Sequence, residues 1–178
     1  MTIQTVHGAT PKLGERVFLA STATVVGDVM VGDDVSIWYG VVVRGDIHRI
    51  RIGARSNLQD GVIVHVEKDL CPTLLEEEVS VGHGAILHGC TIRRGALIGA
   101  GALVLNDAEI GAGALVAAGA VVREGFVVPP GTLVAGVPAV VKRQLSDAEA
   151  DRVARTASNY VRYKDRYLSE GVGQGGLI

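Results

Sequence analysis

Residues 91–122 read TIRRGALIGAGALVLNDAEIGAGALVAAGAVV, with an aliphatic residue at every sixth place. The beat is Ile92, Ile98, Val104, Ile110, Val116 and Val122, and it continues through Val128 and Val134. Two companion rows keep step with it. Three residues after the aliphatics come Gly95, Gly101, Asp107, Gly113, Gly119, Gly125 and Gly131; four after come Ala96, Ala102, Ala108, Ala114 and Ala120. An amphipathic helix repeats near 3.6 residues and a half-buried strand at two, so neither produces a period of six. Short strands joined by corners of positive φ do produce it, because Gly takes that conformation without steric cost and Asp tolerates it. Single strands of this size bury too little, and stacked coils share a continuous core.

The same beat reaches back toward the N-terminus as Leu19, Val25, Val31, Ile37 and Val43, then resumes out of step as Ile52, Leu58 and Val64. The spacing resembles the hexapeptide repeat of left-handed parallel β-helices, in which three hexapeptides make one triangular coil. The handedness comes from that resemblance, since parallel crossovers are ordinarily right-handed. The expected fold is all-β, a left-handed parallel β-helix over residues 15–140 behind a polar lead-in at 1–14. Residues 66–80 break the rhythm around Pro72 and are expected to be a loop extruded from one coil.

Past Pro138, Ser146 and Glu149 have the spacing of a capping box and open an expected α-helix at 146–170, closed by Gly171 ahead of a flexible tail at 171–178. Its apolar stripe includes Ala150, Val153, Ala157, Tyr160, Val161 and Leu168. A helix of about 24 residues is ~36 Å long, enough to run along roughly six coils stacked at ~4.8 Å.

Composition narrows the function classes. Aromatics are 4% of the 178 residues against 24 glycines, which suits tight turns on small aliphatic side chains. A net charge of −2 without runs of like charge argues against nucleic acid or a membrane surface as partner. No apolar run approaches a membrane span, and the first residues lack the regions of a signal peptide. Two cysteines, Cys71 and Cys90, make no disulfide framework and fit a reducing cytoplasm.

The stretch VGHGAILHGC at 81–90 adds chemistry to the repeat. His83 and His88 lie inside it, and His65 ends an earlier turn of the same kind. Three imidazoles leaving one position open are what a catalytic zinc-type centre needs. His65 follows Val64 and His88 follows Leu87, so strand alternation turns both outward from the prism. If the loop absorbs the residues in excess of one coil, the two rings stack on neighbouring coils about 4.8 Å apart. His83 is nearly one triangle edge from His88, roughly 15 Å along an extended chain. The third ligand is therefore expected from a neighbouring subunit, in an oligomer of cyclic symmetry, most simply a trimer. Cys90 is read as a small buried residue, and His48 and His7 as surface.

At this point the chain resembles the γ-class carbonic anhydrase family. The matching residues are Arg44-Gly45-Asp46, Asn57-Leu58-Gln59-Asp60-Gly61, His65, Gly82-His83 and Leu87-His88-Gly89-Cys90, within a likeness covering about residues 10–170. The resemblance implies a homotrimer with a divalent metal between subunits, zinc or else ferrous iron or cobalt, held by His65 and His88 of one chain and His83 of the next. It implies hydration of carbon dioxide to bicarbonate, using the lowered pKa of a metal-bound water. Gln59 would partner that water with Asn57 beside it, and Tyr160 would overhang the site. Arg44 would pair with Asp46 or Asp60 across the interface and meet bicarbonate. Two features depart from the archaeal prototype: Ile47 stands where a Glu is expected, and Lys68 occupies the place of the proton-shuttle Glu. Glu67, Glu76, Glu77 and Glu78 are then the alternative proton carriers. The rival functions are a metal-stabilised trimeric scaffold or binding protein with little activity, and a hexapeptide acyltransferase.

Overall fold

A computed structural model describes residues 1–173. The chain winds as a left-handed parallel β-helix of about seven coils, with one α-helix at the C-terminal side. The beat read from the sequence becomes three inward columns, one per face. The first stacks Leu19, Ile37, Leu58, Val81, Ile98, Val116 and Val134; the second stacks Val25, Val43, Val64, Leu87, Val104 and Val122. The third stacks Val31, Ile52, Leu75, Ile92, Ile110 and Val128. All of them are buried. The corner residues Gly95, Gly101, Asp107, Gly113, Gly119, Gly125 and Gly131 take φ between +56° and +67°, and the alanines that follow fill the prism behind them.

The irregularities of the beat have one location. Val43 to Ile52, Val64 to Leu75 and Leu87 to Ile92 replace the usual six-residue step by nine, eleven and five, and all three steps turn the corner between the second and third faces. The expected extrusion at 66–80 is accordingly narrower than the sequence suggested. Thr73–Leu75 is a strand of the third face, paired with Ile50–Ile52, and only about residues 66–72 leave the coil. The physical reason is Leu75, whose side chain is needed to fill its column.

The lead-in also carries structure. Thr2–Gln4 and Lys12–Leu13 pair in parallel with Thr24–Val26 and Met30–Val31, satisfying the backbone groups of the first coil's edge. At the other end Val140–Gln144 returns antiparallel to Thr132–Ala135, beyond the expected boundary at 140.

The helix spans Asp147–Ser169, opened by the Ser146/Glu149 capping box, and Gly171 beyond it has φ +72°. It lies along the outside of the first face. Val153 packs by Leu97, Leu115 and Leu133, and Tyr160 and Tyr167 close on Phe18 and Trp38. Of the expected stripe, Val153 and Ala157 are buried and Ala150 is exposed. Lys164 is fully buried, 2.9 Å from Asp34. Of the expected tail, residues 174–178 lie outside the described part. No described helix is long and apolar enough to cross a membrane.

Candidate metal centre

The helix covers the first face and leaves the outside of the second bare. That outside carries the column Val42, Ile63, Ile86, Leu103 and Val121, with Ile63 41% and Ile86 37% exposed. The expected site residues fall in two groups at the two vertical edges of this face.

At the edge shared with the third face, parallel pairing sets His88 directly over His65, because the residues in excess of one coil are absorbed between them. Their rings are 5.1 Å apart between centroids, and His65 Nδ1 is 3.2 Å from His88 Nε2. The opposite nitrogens are both engaged. His65 Nε2 is 3.0 Å from Asp46 Oδ1, and His88 Nδ1 is 2.7 Å from the amide oxygen of Asn106. Carboxylate and amide oxygens only accept, so these nitrogens carry the ring protons. Burial pushes the pKa of His65 down, outweighing the pull of Asp46. Two lone pairs thus face one another across 3.2 Å, an arrangement that repels when empty and suits a shared cation. The donor set fits a divalent metal of the zinc type.

Asp46 also accepts from Arg44 Nη1 of its own chain. Burial raises the Asp46 carboxyl, but the hydrogen bonds from His65 and Arg44 outweigh it and hold the group below the usual carboxylate range. The short excursion at 46–49 is what swings Asp46 back over His65.

The second group sits at the edge shared with the helix-covered face. His83 is a corner residue, its side chain 58% exposed, with Nδ1 2.9 Å from Asp60 Oδ2. Asn57 and Gln59 flank Leu58 and point outward beneath the helix, both buried. Gln59 Nε2 donates to Asn57 Oδ1 at 3.2 Å, and Asn57 Nδ2 to Ser80 Oγ at 2.8 Å. Tyr160 stacks edge-on to Trp38, and burial, helped by the charge of Asp60, raises its phenol pKa. His83, Asp60, Gln59, Asn57 and Tyr160 therefore form one cluster, and Arg44, Asp46, His65 and His88 another. Among the described residues of one chain, no three metal-ligating side chains converge.

The expected proton carriers divide. Glu76, Glu77 and Glu78 form ion pairs with Arg55, Arg93 and Arg94 at the corner between the third and first faces, away from both clusters. Of the four, Glu67 alone is linked to the histidines, through Asn106, from whose Nδ2 it accepts at 3.3 Å. Asn106 is the member of this cluster that sequence reasoning missed. Its signal was present: it lies eighteen residues, one whole coil, after His88. Cys90 is buried in the corner as expected, its thiol pushed up to about 12 by desolvation. His48 lines a shallow cleft of about 380 Å³ together with His7 and Asp46.

The family model "Bacterial transferase hexapeptide (six repeats)" matches residues 10–45 and 89–124. The chain is 47% identical over 153 residues to "Probable carbonic anhydrase" of Methanocaldococcus jannaschii, covering 86% of this chain and 96% of that one. It is 46% identical over 167 residues to "Protein YrdA" of Escherichia coli, covering 90% and 91%. A solved Bacillus cereus structure described as an acetyltransferase superposes with a TM-score of 0.92 at 40% identity, over 94% of this chain and 97% of that one.

Proposed function

The chain belongs to the γ-class carbonic anhydrase family, and on that premise we propose that it interconverts carbon dioxide and bicarbonate at a metal centre shared between the protomers of a homotrimer. One observation carries the proposal: His65 Nδ1 and His88 Nε2 face each other at 3.2 Å, on the edge of an uncovered apolar face whose other edge presents His83. A three-fold arrangement that buries the Ile63 and Ile86 column brings the His65/His88 edge of one protomer to the His83 edge of the next.

His65, His88 and the neighbour's His83 would hold the metal, zinc by preference, with ferrous iron or cobalt also suited to imidazole ligands. When bound, the metal supplies Lewis-acid activation of water for attack on carbon dioxide. The remaining work falls to the chain. Asp46 fixes the ring of His65, and Asp60 that of His83. Gln59, restrained through Asn57 and Ser80, orients the attacking water. Arg44 offers a guanidinium to the planar bicarbonate, and Tyr160 closes the site from the helix. Glu67 carries the released proton outward. Two buried free thiols suit a reducing compartment such as the cytoplasm.

The test is carbon dioxide hydration by protein loaded with zinc, and separately with ferrous iron or cobalt. Activity that rises with metal is the expected result. A fully metallated oligomer without hydration would sink the enzymatic reading and leave a trimeric scaffold. The description of the Bacillus cereus relative raises acyl transfer as the rival. Saturable binding of coenzyme A without bound metal would favour it.

A further inference from the structure

We infer that Asn106, itself held by Glu67, is a positioning residue for His88, and that this pair latches the 66–72 loop onto the metal centre. The inference rests on the metal reading above.

An amide at the surface can normally turn either way, so its oxygen and nitrogen are assigned by their partners. Here the partners leave no choice. Glu67 Oε2 lies 3.3 Å from one end of the Asn106 amide, and a carboxylate can only accept. The nitrogen must therefore face Glu67, and the oxygen must face His88 Nδ1 at 2.7 Å. That oxygen in turn only accepts, so the ring proton of His88 is placed on Nδ1 and the lone pair of Nε2 is aimed at His65. The orientation of one metal ligand is thus dictated by a carboxylate two side chains away.

The surroundings are shaped to this amide. Gly89, next to His88, has φ +59°, and a Cβ built there would lie 2.6 Å from Asn106 Oδ1 and 2.9 Å from Cys71 Cβ. Only a glycine lets the loop, the amide and the ligand strand approach so closely. The loop is closed on itself by Glu67 N donating to Cys71 O at 3.1 Å. It is tied to the coil by Cys71 Sγ donating to Asp107 Oδ1 at 3.1 Å, and by the Asn106–Glu67 bond. The neighbouring residues Asn106 and Asp107 therefore both grip the loop, and one of them grips the ligand as well.

The experiment measures zinc affinity by chelator competition for the full chain and its Asn106→Leu, Asn106→Asp and Glu67→Gln variants. Hydrogen exchange of the backbone amides at 67–71 is followed in parallel. Outer partners of metal ligands are typically worth 10–100-fold in affinity. N106L is expected to bind zinc weaker by about that factor. N106D is expected to bind within a few-fold of the parent, because a carboxylate still accepts from His88, yet to exchange faster in the loop, because it faces Glu67 with like charge. E67Q frees the amide to turn and should fall between the two. Rescue by N106D is what a merely structural role would not produce. Should N106L fail to fold, Asn106→Ser, too short to reach His88, takes its place. N106L binding like the parent, or N106D binding as poorly as N106L, overturns the positioning role; unchanged loop exchange in N106D overturns the latch. A parent chain that takes up no zinc refutes the metal reading itself, and the exchange data then decide the latch alone.

Discussion

His83→Ala and His88→Ala should each empty the metal centre, yet the two variants, unfolded together and refolded as a mixture, should regain metal. The amount follows from the geometry. His83 stands at one edge of the second face and His88 at the other, roughly 15 Å of extended chain apart, so one chain cannot bring both to one ion. In the proposed cyclic trimer each centre would take His65 and His88 from one protomer and His83 from the next. A junction is whole only where an H83A chain supplies the first pair and an H88A chain the second. With equal doses, about three-quarters of the trimers are mixed, and each has one whole junction in three, so about a quarter of wild-type sites should return. The assay is zinc per chain after gel filtration, in a chelator strong enough to strip two-ligand sites. Each variant refolded alone is the control and should read close to zero. A mixture no better than its parents would refute the shared centre, and H83A retaining full zinc would remove His83 from the ligand set.

Two further outcomes are expected. Gly89→Ala should cost about 1 kcal/mol for a side chain at positive φ, and should lower zinc affinity by more than thermal stability, since the new Cβ displaces Asn106 from His88; equal effects on both would argue that the corner is purely structural. Asp34 is held at about 2 by its hydrogen bond from Arg16, with buried Lys164 as second partner. Because the folded value lies below the unfolded one, its stabilisation is present above about pH 4 and is lost as pH falls toward 2. With Arg16 60% exposed and screened by water, the effect is on the order of 1 kcal/mol. Denaturant unfolding of Asp34→Asn should show a shallower loss of stability between pH 5 and pH 3 than the parent, and an identical slope would contradict the assignment.

Much of the site was legible because the repeat converts sequence spacing into position. Val64 and Leu87 occupy one column, so the residues after them had to stack, and the His65–His88 contact follows. The roles of Glu76, Glu77 and Glu78 were not legible. They belong to an acidic stretch that reads as loop, and only the return of Thr73–Leu75 to the sheet reveals that they turn a different corner, beside Arg55, Arg93 and Arg94. The Arg44–Asp46 pair is similar: the residues were singled out, but their contact within one chain depends on the excursion at 46–49.

By itself the sequence determined the coil, since period six with positive-φ corners admits few other backbones, and with it the outward direction of His65 and His88. It also determined the helix through its capping box and stripe. Only the tertiary structure decided where the irregular steps fall, because a residue added to a coil can be absorbed at any corner and the choice depends on which columns must stay filled. Gathering the nine-, eleven- and five-residue steps at one corner brings Asp46, Glu67 and Asn106 around the histidines. Covering the first face with the helix leaves the Ile63 and Ile86 column exposed between the His65/His88 edge and the His83 edge.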